Sequence, residues 1–221
     1  MQRIRYGLLR YQNNVFPNYR AQYEELSLGQ NPSTLFITCS DSRIVPHIIT
    51  QTQPGELFIV RTAGNFVPTF TSAPSGEAAT IEYAVKVLNV REIVVCGHSH
   101  CGALSAMLKP ESVKNLPAVK HWLAHGQEAL NELDNYRAAN PSQRDLLTSL
   151  IECNVKVQLE HLRTYPYICA AEDRGQLTLH GCFYRFETGE AFELDEAAQH
   201  FVSVAHGCDY SQSIEFDLLG S

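Results

Sequence analysis

Cys39, His98 and Cys101 are the residues of this chain best suited to chemistry. They occupy two short segments, Cys39-Ser40-Asp41-Ser42-Arg43 and Cys96-Gly97-His98-Ser99-His100-Cys101-Gly102. Two thiolates and one imidazole suit zinc, and three protein ligands leave the fourth position of a tetrahedral ion open to water, as in catalytic sites. His98 and Cys101 can reach one ion from a single turn. Gly97 and Gly102 beside them permit backbone shapes that larger residues resist. Cys39 lies 59 positions before His98, so only the fold can unite the three.

Charge decides what an ion held this way can do. A divalent zinc with two thiolates and a neutral imidazole has a net charge near zero. That site acidifies its water less than three neutral histidines, whose bound water has a pKa of about 7. Deprotonating and orienting the water therefore needs help. Asp41, two residues beyond Cys39, can accept a hydrogen bond from that water or hydroxide. Arg43 can hold Asp41 in a bidentate charge-assisted pair that keeps it ionised and aimed. His100 is expected to line the site or face solvent, because neighbours in one turn rarely aim at one ion. Other chemistries lack their residues. There is no HExxH segment, no H-x-E…P-C-x-x-C pattern, and no GxGxxG or GxxxxGK[ST] loop. What is left is attack of metal hydroxide on a small electrophile.

The elements that must position these residues are legible as an α/β pattern. The runs 34–39, 57–61 and 92–96 are short, apolar and β-prone, the signature of buried strands, and each candidate ligand segment follows one. Residues 75–89 read as an amphipathic helix and 101–108 as a short one. Strand, helix, strand in this order predicts a central, mostly parallel sheet flanked by helices. Residues 1 to about 28 read as a helical arm, with Ile4, Leu8, Tyr11 and Val15 on one face. The second half reads as helical over 117–137 and 143–163, with Pro166 as a stop. A strand over 176–186 and a hairpin return at 191–194 follow. The last 20 residues are ambiguous. The whole of 1–221 is expected to form one domain, with the arm at 1–28 and a tail at 200–221.

Composition sets outer limits. A formal net charge of -7 and a pI of about 5.7 argue against binding nucleic acid or an acidic membrane surface. Seven cysteines, an odd number in a chain of this size, argue for a reducing compartment rather than a disulfide framework. Cys96 is expected in the core, and Cys153, Cys169, Cys182 and Cys208 as core or surface thiols. His121, His125 and His161 are expected on helix surfaces. No apolar run approaches a membrane span, and the N-terminus lacks a signal core, which predicts a cytoplasmic protein.

With these residues in place, the sequence resembles a β-class carbonic anhydrase. The resemblance rests on Cys39-Ser40-Asp41-Ser42-Arg43, Val60-Arg61-Thr62-Ala63-Gly64-Asn65, Ser75-Gly76-Glu77 with Glu82-Tyr83-Ala84, and Gly97-His98-Ser99-His100-Cys101-Gly102-Ala103. It implies one zinc per chain on Cys39, His98 and Cys101, an Asp41–Arg43 catalytic dyad, and reversible hydration of carbon dioxide to bicarbonate. It also implies substrate contacts from Gln30, Phe58, Tyr83 and Gly102, with Phe58 and Tyr83 lent by a neighbouring subunit, so that a homodimer is the smallest active unit. Members that close their zinc with the aspartate carry a tryptophan three residues before the first cysteine. Phe36 stands there in this chain, and with Gln30 it points to the open, plant-like subtype. Similarity to cyanobacterial members leaves carboxysome proteins as partners and a carboxysomal location as open alternatives. Hydrolysis of carbonyl sulfide or carbon disulfide, and a non-catalytic role with a closed zinc, also stay open.

Overall fold

A computed structural model describes residues 1–71, 75–139 and 145–205. Residues 143–144, the tail beyond 205 and Cys208 lie outside the described residues. Six strands form one sheet: β1 (Thr34–Cys39), β2 (Leu57–Thr62), β3 (Glu92–His98), β4 (Thr178–Tyr184), β5 (Ala191–Asp195) and β6 (His200–Ser203). Their order is β2-β1-β3-β4-β5-β6. The first four run parallel, β5 pairs antiparallel with β4, and β6 pairs antiparallel with β5. The mostly parallel, helix-flanked sheet expected from the sequence is present. β1 is buried at every position, which is why its sequence is one apolar run without alternation. The chain leaves β1 for β2 on one side and returns to β3 on the other. The strand order reverses at β1, and the region beyond the strand ends at such a reversal is where open α/β sheets hold their sites.

Helices cover this frame. α1 (Gln2–Arg10) and α2 (Phe16–Leu26) form the arm, joined through a π turn at Tyr11–Val15. Pro17 does not split it. It sits in the first turn of α2, where its missing N–H falls within the widened turn. Neither helix has a buried residue, and Ile4 and Leu8 are each 63% exposed. α3 (Pro46–Thr50), not anticipated from the sequence, follows the Asp41 segment. α4 (Gly76–Lys86) is capped by Ser75 Oγ, which accepts from Ala78 N. α5 (Gly102–Leu108), α6 (Pro117–Leu123), α7 (Gln127–Ala139), α8 (Leu146–Arg163) and α9 (Pro166–Asp173) complete the set among the described residues.

Three expectations for this half are corrected. The single helix over 117–137 is interrupted by a short 3-10 turn at Ala124–Gly126. Gly126 approaches Phe66 so closely that a β-carbon there falls 2.7 Å from Phe66 Cζ, and the chain bends to make the fit. Pro166 opens a new helix rather than only ending one, since it stands in the first turn of α9. His161, expected on the surface, is buried. Its Nδ1–H donates to Val67 O at 2.7 Å, which satisfies it inside the protein.

Leu35, Ile37, Ile93 and Val95 form one apolar layer with α4, α8 and α9. α8 can lie against the sheet because Gly97 and Gly181 leave a notch for Val155. A β-carbon at Gly97 falls 3.0 Å from Val155 Cγ2, and one at Gly181 falls 2.9 Å from Val155 Cγ1. Gly97 thus serves packing, in extended backbone within β3, and not the unusual turn expected of it. Gly102 has open space around it. Overpacking such a contact costs about 1–3 kcal/mol. Gly181→Ala is expected to lose that much stability in urea unfolding, and an unchanged midpoint would show that α8 adjusts freely.

Candidate metal centre

β1 ends on Cys39 and β3 ends on His98, side by side at one end of the sheet. Cys101 is the N-cap residue of α5 and closes the turn that starts at His98. Sulfur and nitrogen donors of the three lie within 4.8 Å of one another, and all three residues are buried. Cys39 Sγ and Cys101 Sγ are 4.0 Å apart. The sequence placed all three at strand ends. It put His98 in a loop, whereas here it is the last residue of β3.

This donor set fits a thiophilic cation. His98 Nδ1–H donates to Ser99 O at 2.8 Å, which fixes the tautomer and leaves Nε2 as the basic nitrogen. Nε2 is buried without a hydrogen-bond partner. An orphaned acceptor of this kind calls for a ligand-like role. The thiols point the same way. A hydrogen bond from Cys101, aided by the Gly64 N–H, holds Cys39 well below its ordinary value against the effect of burial. The same sharing with Cys39, together with burial, holds Cys101 above its ordinary value, against the N–H groups of Leu104 and Ala103. One negative charge is welcome in the pair, and a second needs a cation beside it.

Asp41 stands next to the thiols. Its Oδ1 accepts from Arg43 N and Nε, both at 2.9 Å, and its Oδ2 accepts from Arg43 Nη2 at 2.7 Å. The guanidinium holds the Asp41 carboxyl well below the usual carboxylate range. Arg43 Nη2 also donates to His100 O at 3.0 Å, and the guanidinium lies over the Phe186 ring, 4.8 Å from its centroid. This bidentate pair is the one the motif spacing suggested.

Several supports were not read from the sequence. Arg61 donates to Cys39 O at 3.1 Å, Asp41 O at 2.6 Å and Ile44 O at 2.9 Å, stapling the segment that carries Asp41. A lone arginine in an apolar strand run was the available signal. The turn between β4 and β5 forms a wall: Phe186 packs on His98 with ring centroids 4.9 Å apart, and Glu187 accepts from Ser99 Oγ at 2.8 Å and pairs with His100. On α8, Asn154 Nδ2 donates to Gly64 O at 3.0 Å, and Gln158 Oε1 accepts from Val67 N at 2.7 Å. Helical spacing puts Asn154, Gln158 and His161 on one buried stripe that grips the segment after β2.

Gln30, Phe58 and Tyr83 are not brought to this centre. Phe58 sits four residues before Thr62, the register partner of Cys39, roughly 13 Å back along the strand. Its ring faces Tyr83 at 6.0 Å between centroids, and Tyr83 is 44% exposed. Gln30 is exposed in the loop before β1, beside Tyr23, Leu26 and Gly55. Gly102, by contrast, adjoins the centre as the first residue of α5.

Comparison with known proteins agrees with this geometry. The pattern of the carbonic anhydrase family matches residues 34–191. A carbonic anhydrase of Pseudomonas aeruginosa is 44% identical over 199 residues, covering 90% of each chain. The solved β-carbonic anhydrase CcaA superposes with a TM-score of 0.87 at 41% identity, over 92% of this chain and 91% of that one. One of two tetrameric β-carbonic anhydrases from the ascomycete Sordaria macrospora gives 0.75 at 29% identity, over 88% and 98%. The family match and the shared fold carry one conclusion: this chain belongs to the β-carbonic anhydrases and is an enzyme of that family.

Proposed function

We propose that the chain holds zinc on Cys39, His98 and Cys101 and interconverts carbon dioxide and bicarbonate with the help of Asp41 and Arg43. The observation that carries this reading is the buried, unpartnered His98 Nε2, which converges with two thiols beside an arginine-held carboxylate. When bound, zinc supplies a Lewis acid that makes water nucleophilic near neutral pH. Asp41 takes the hydrogen bond of that nucleophile and keeps its lone pair turned toward the carbon of the substrate. Arg43 fixes the carboxylate through both of its oxygens and would compete with an ion for them. That pairing favours the open form of the site. Phe186, stacked on His98 and Arg43, limits water at the wall.

A homo-oligomer supplies the rest. Gln30, Phe58 and Tyr83 lie far from their own chain's centre and exposed enough to reach a neighbour's. Gln30 there donates a hydrogen bond to a substrate oxygen. The arm, helical yet without a buried residue, has apolar side chains to lay on a second copy. The tetrameric Sordaria relative sets a precedent for assembly. Among the described residues no helix is long and apolar enough to cross a membrane.

Metal analysis together with stopped-flow carbon dioxide hydration near pH 7 and pH 8.5 tests the reading. About one zinc per chain and hydration at both pH values are expected. Full zinc with no hydration at either pH overturns it, and activity only at the higher pH overturns the open form.

A further inference from the structure

The Ala63–Gly64 peptide carries a hydrogen bond at each end. Gly64 N–H donates to Cys39 Sγ at 3.4 Å, and Ala63 O accepts from Trp122 Nε1–H at 2.8 Å. Both atoms belong to one planar, resonance-coupled unit. A donor on the carbonyl oxygen draws density from the peptide and makes its N–H the stronger donor, so the two bonds reinforce each other. The unit is also held in place. Gly64 has a φ of 76°, and a β-carbon there falls 2.9 Å from Phe66 Cζ, so the backbone lies against that ring. The Trp122 ring is wedged between Phe66 and His125, with centroids at 6.3 and 5.0 Å.

We propose that Trp122 is a positioning residue for the metal centre: its indole N–H, relayed through the Ala63–Gly64 peptide, tempers electron donation by the Cys39 sulfur. The proposal rests on the reading of Cys39 as a metal ligand. Two thiolates quench the charge of a divalent ion, and an N–H directed at one of them restores part of it. Trp122 does this from α6 without touching the ligand. The helix that carries it therefore tunes the centre through a single peptide.

Trp122 is the only tryptophan of the chain, so any tryptophan analogue incorporated during expression changes this residue alone. The probe is cobalt(II) in place of zinc, read by its sulfur-to-metal charge-transfer absorption, which follows the donor level of the thiolates and not turnover. Trp122→Phe keeps an aromatic ring but removes the N–H, and is expected to move the band to longer wavelength. A ring-fluorinated tryptophan, whose N–H is more acidic, is expected to move it to shorter wavelength in an otherwise unaltered fold. A band at one position in all three proteins, or shifts in the same direction, overturns the proposal. If Trp122→Phe does not fold, the fluorinated and ordinary proteins decide between them. Bound cobalt without any such band overturns the thiolate ligand set, and this proposal with it.

Discussion

Replacing Asp41 with Asn is expected to lower turnover by roughly 10²–10⁴-fold, the range for losing a positioned acid–base group, while zinc content stays unchanged. Asp41 is not among the three converging donors, so the ion keeps its ligands. The amide keeps the size of the carboxylate but presents an N–H₂ where an acceptor is needed. It also loses the charge that binds Arg43 through two oxygens. The carboxyl of Asp41 is held below its ordinary value of about 4, so its contribution to stability is complete above that pH. It is lost only as pH falls through the depressed folded value. Activity between pH 6 and 9 should therefore show no titration of Asp41. Wild-type turnover in the Asn variant removes Asp41 from the mechanism, and loss of zinc reassigns it as a ligand.

A mixed oligomer is expected to recover activity that neither parent has. Gln30→Ala removes a donor to substrate, a change that costs about 10²–10³-fold in sites that stabilise a developing oxyanion. If Gln30 serves the neighbouring centre, pairing a Gln30→Ala protomer with an Asp41→Asn protomer rebuilds one intact site. It unites the Asp41 of the first chain with the Gln30 of the second. With random pairing of two-fold dimers, half are mixed and each has one good site of two. About a quarter of wild-type turnover then returns. Co-expression with two different affinity tags isolates the mixed species. No recovery there means that Gln30 acts within its own chain or not at all.

The centre was unusually legible because its residues are of rare type and lie at strand ends. Buried parallel strands declare themselves as apolar runs, and β1 and β3 each end on a proposed ligand. Asp41 and Arg43 lie inside one of those motifs, so their pairing followed from spacing. The supports were hidden because they act across the chain. Arg61 reaches back to Cys39, Asp41 and Ile44 only once β2 lies beside β1. Asn154, Gln158 and His161 show helical spacing, but nothing local says that their polar atoms meet the backbone of Gly64 and Val67 about 90 positions earlier. His161 was misplaced for that reason: a histidine among Glu160 and Arg163 looks solvated until its partner carbonyl is known. The break at Ala124–Gly126 was missed because Gly126 alone is a weak stop, and its cause, the ring of Phe66, is remote in sequence.

Two of the three proposed metal donors follow β3 within one turn, while the third arrives on β1, 62 positions from Cys101. An unfolded chain therefore has no preformed site that unites Cys39 with His98 and Cys101. The complete set exists after β1 has docked beside β3, a contact of long sequence separation that forms slowly. Binding energy that requires all three is folding energy, so the proposed zinc would latch the pairing of those two strands. Chains made without zinc would then dwell longer with the Thr34–Cys39 run uncovered, an apolar strand open to pairing with other chains. On that reading, adding zinc during refolding is expected to raise the yield of folded protein, apart from its effect on the rate of the finished enzyme.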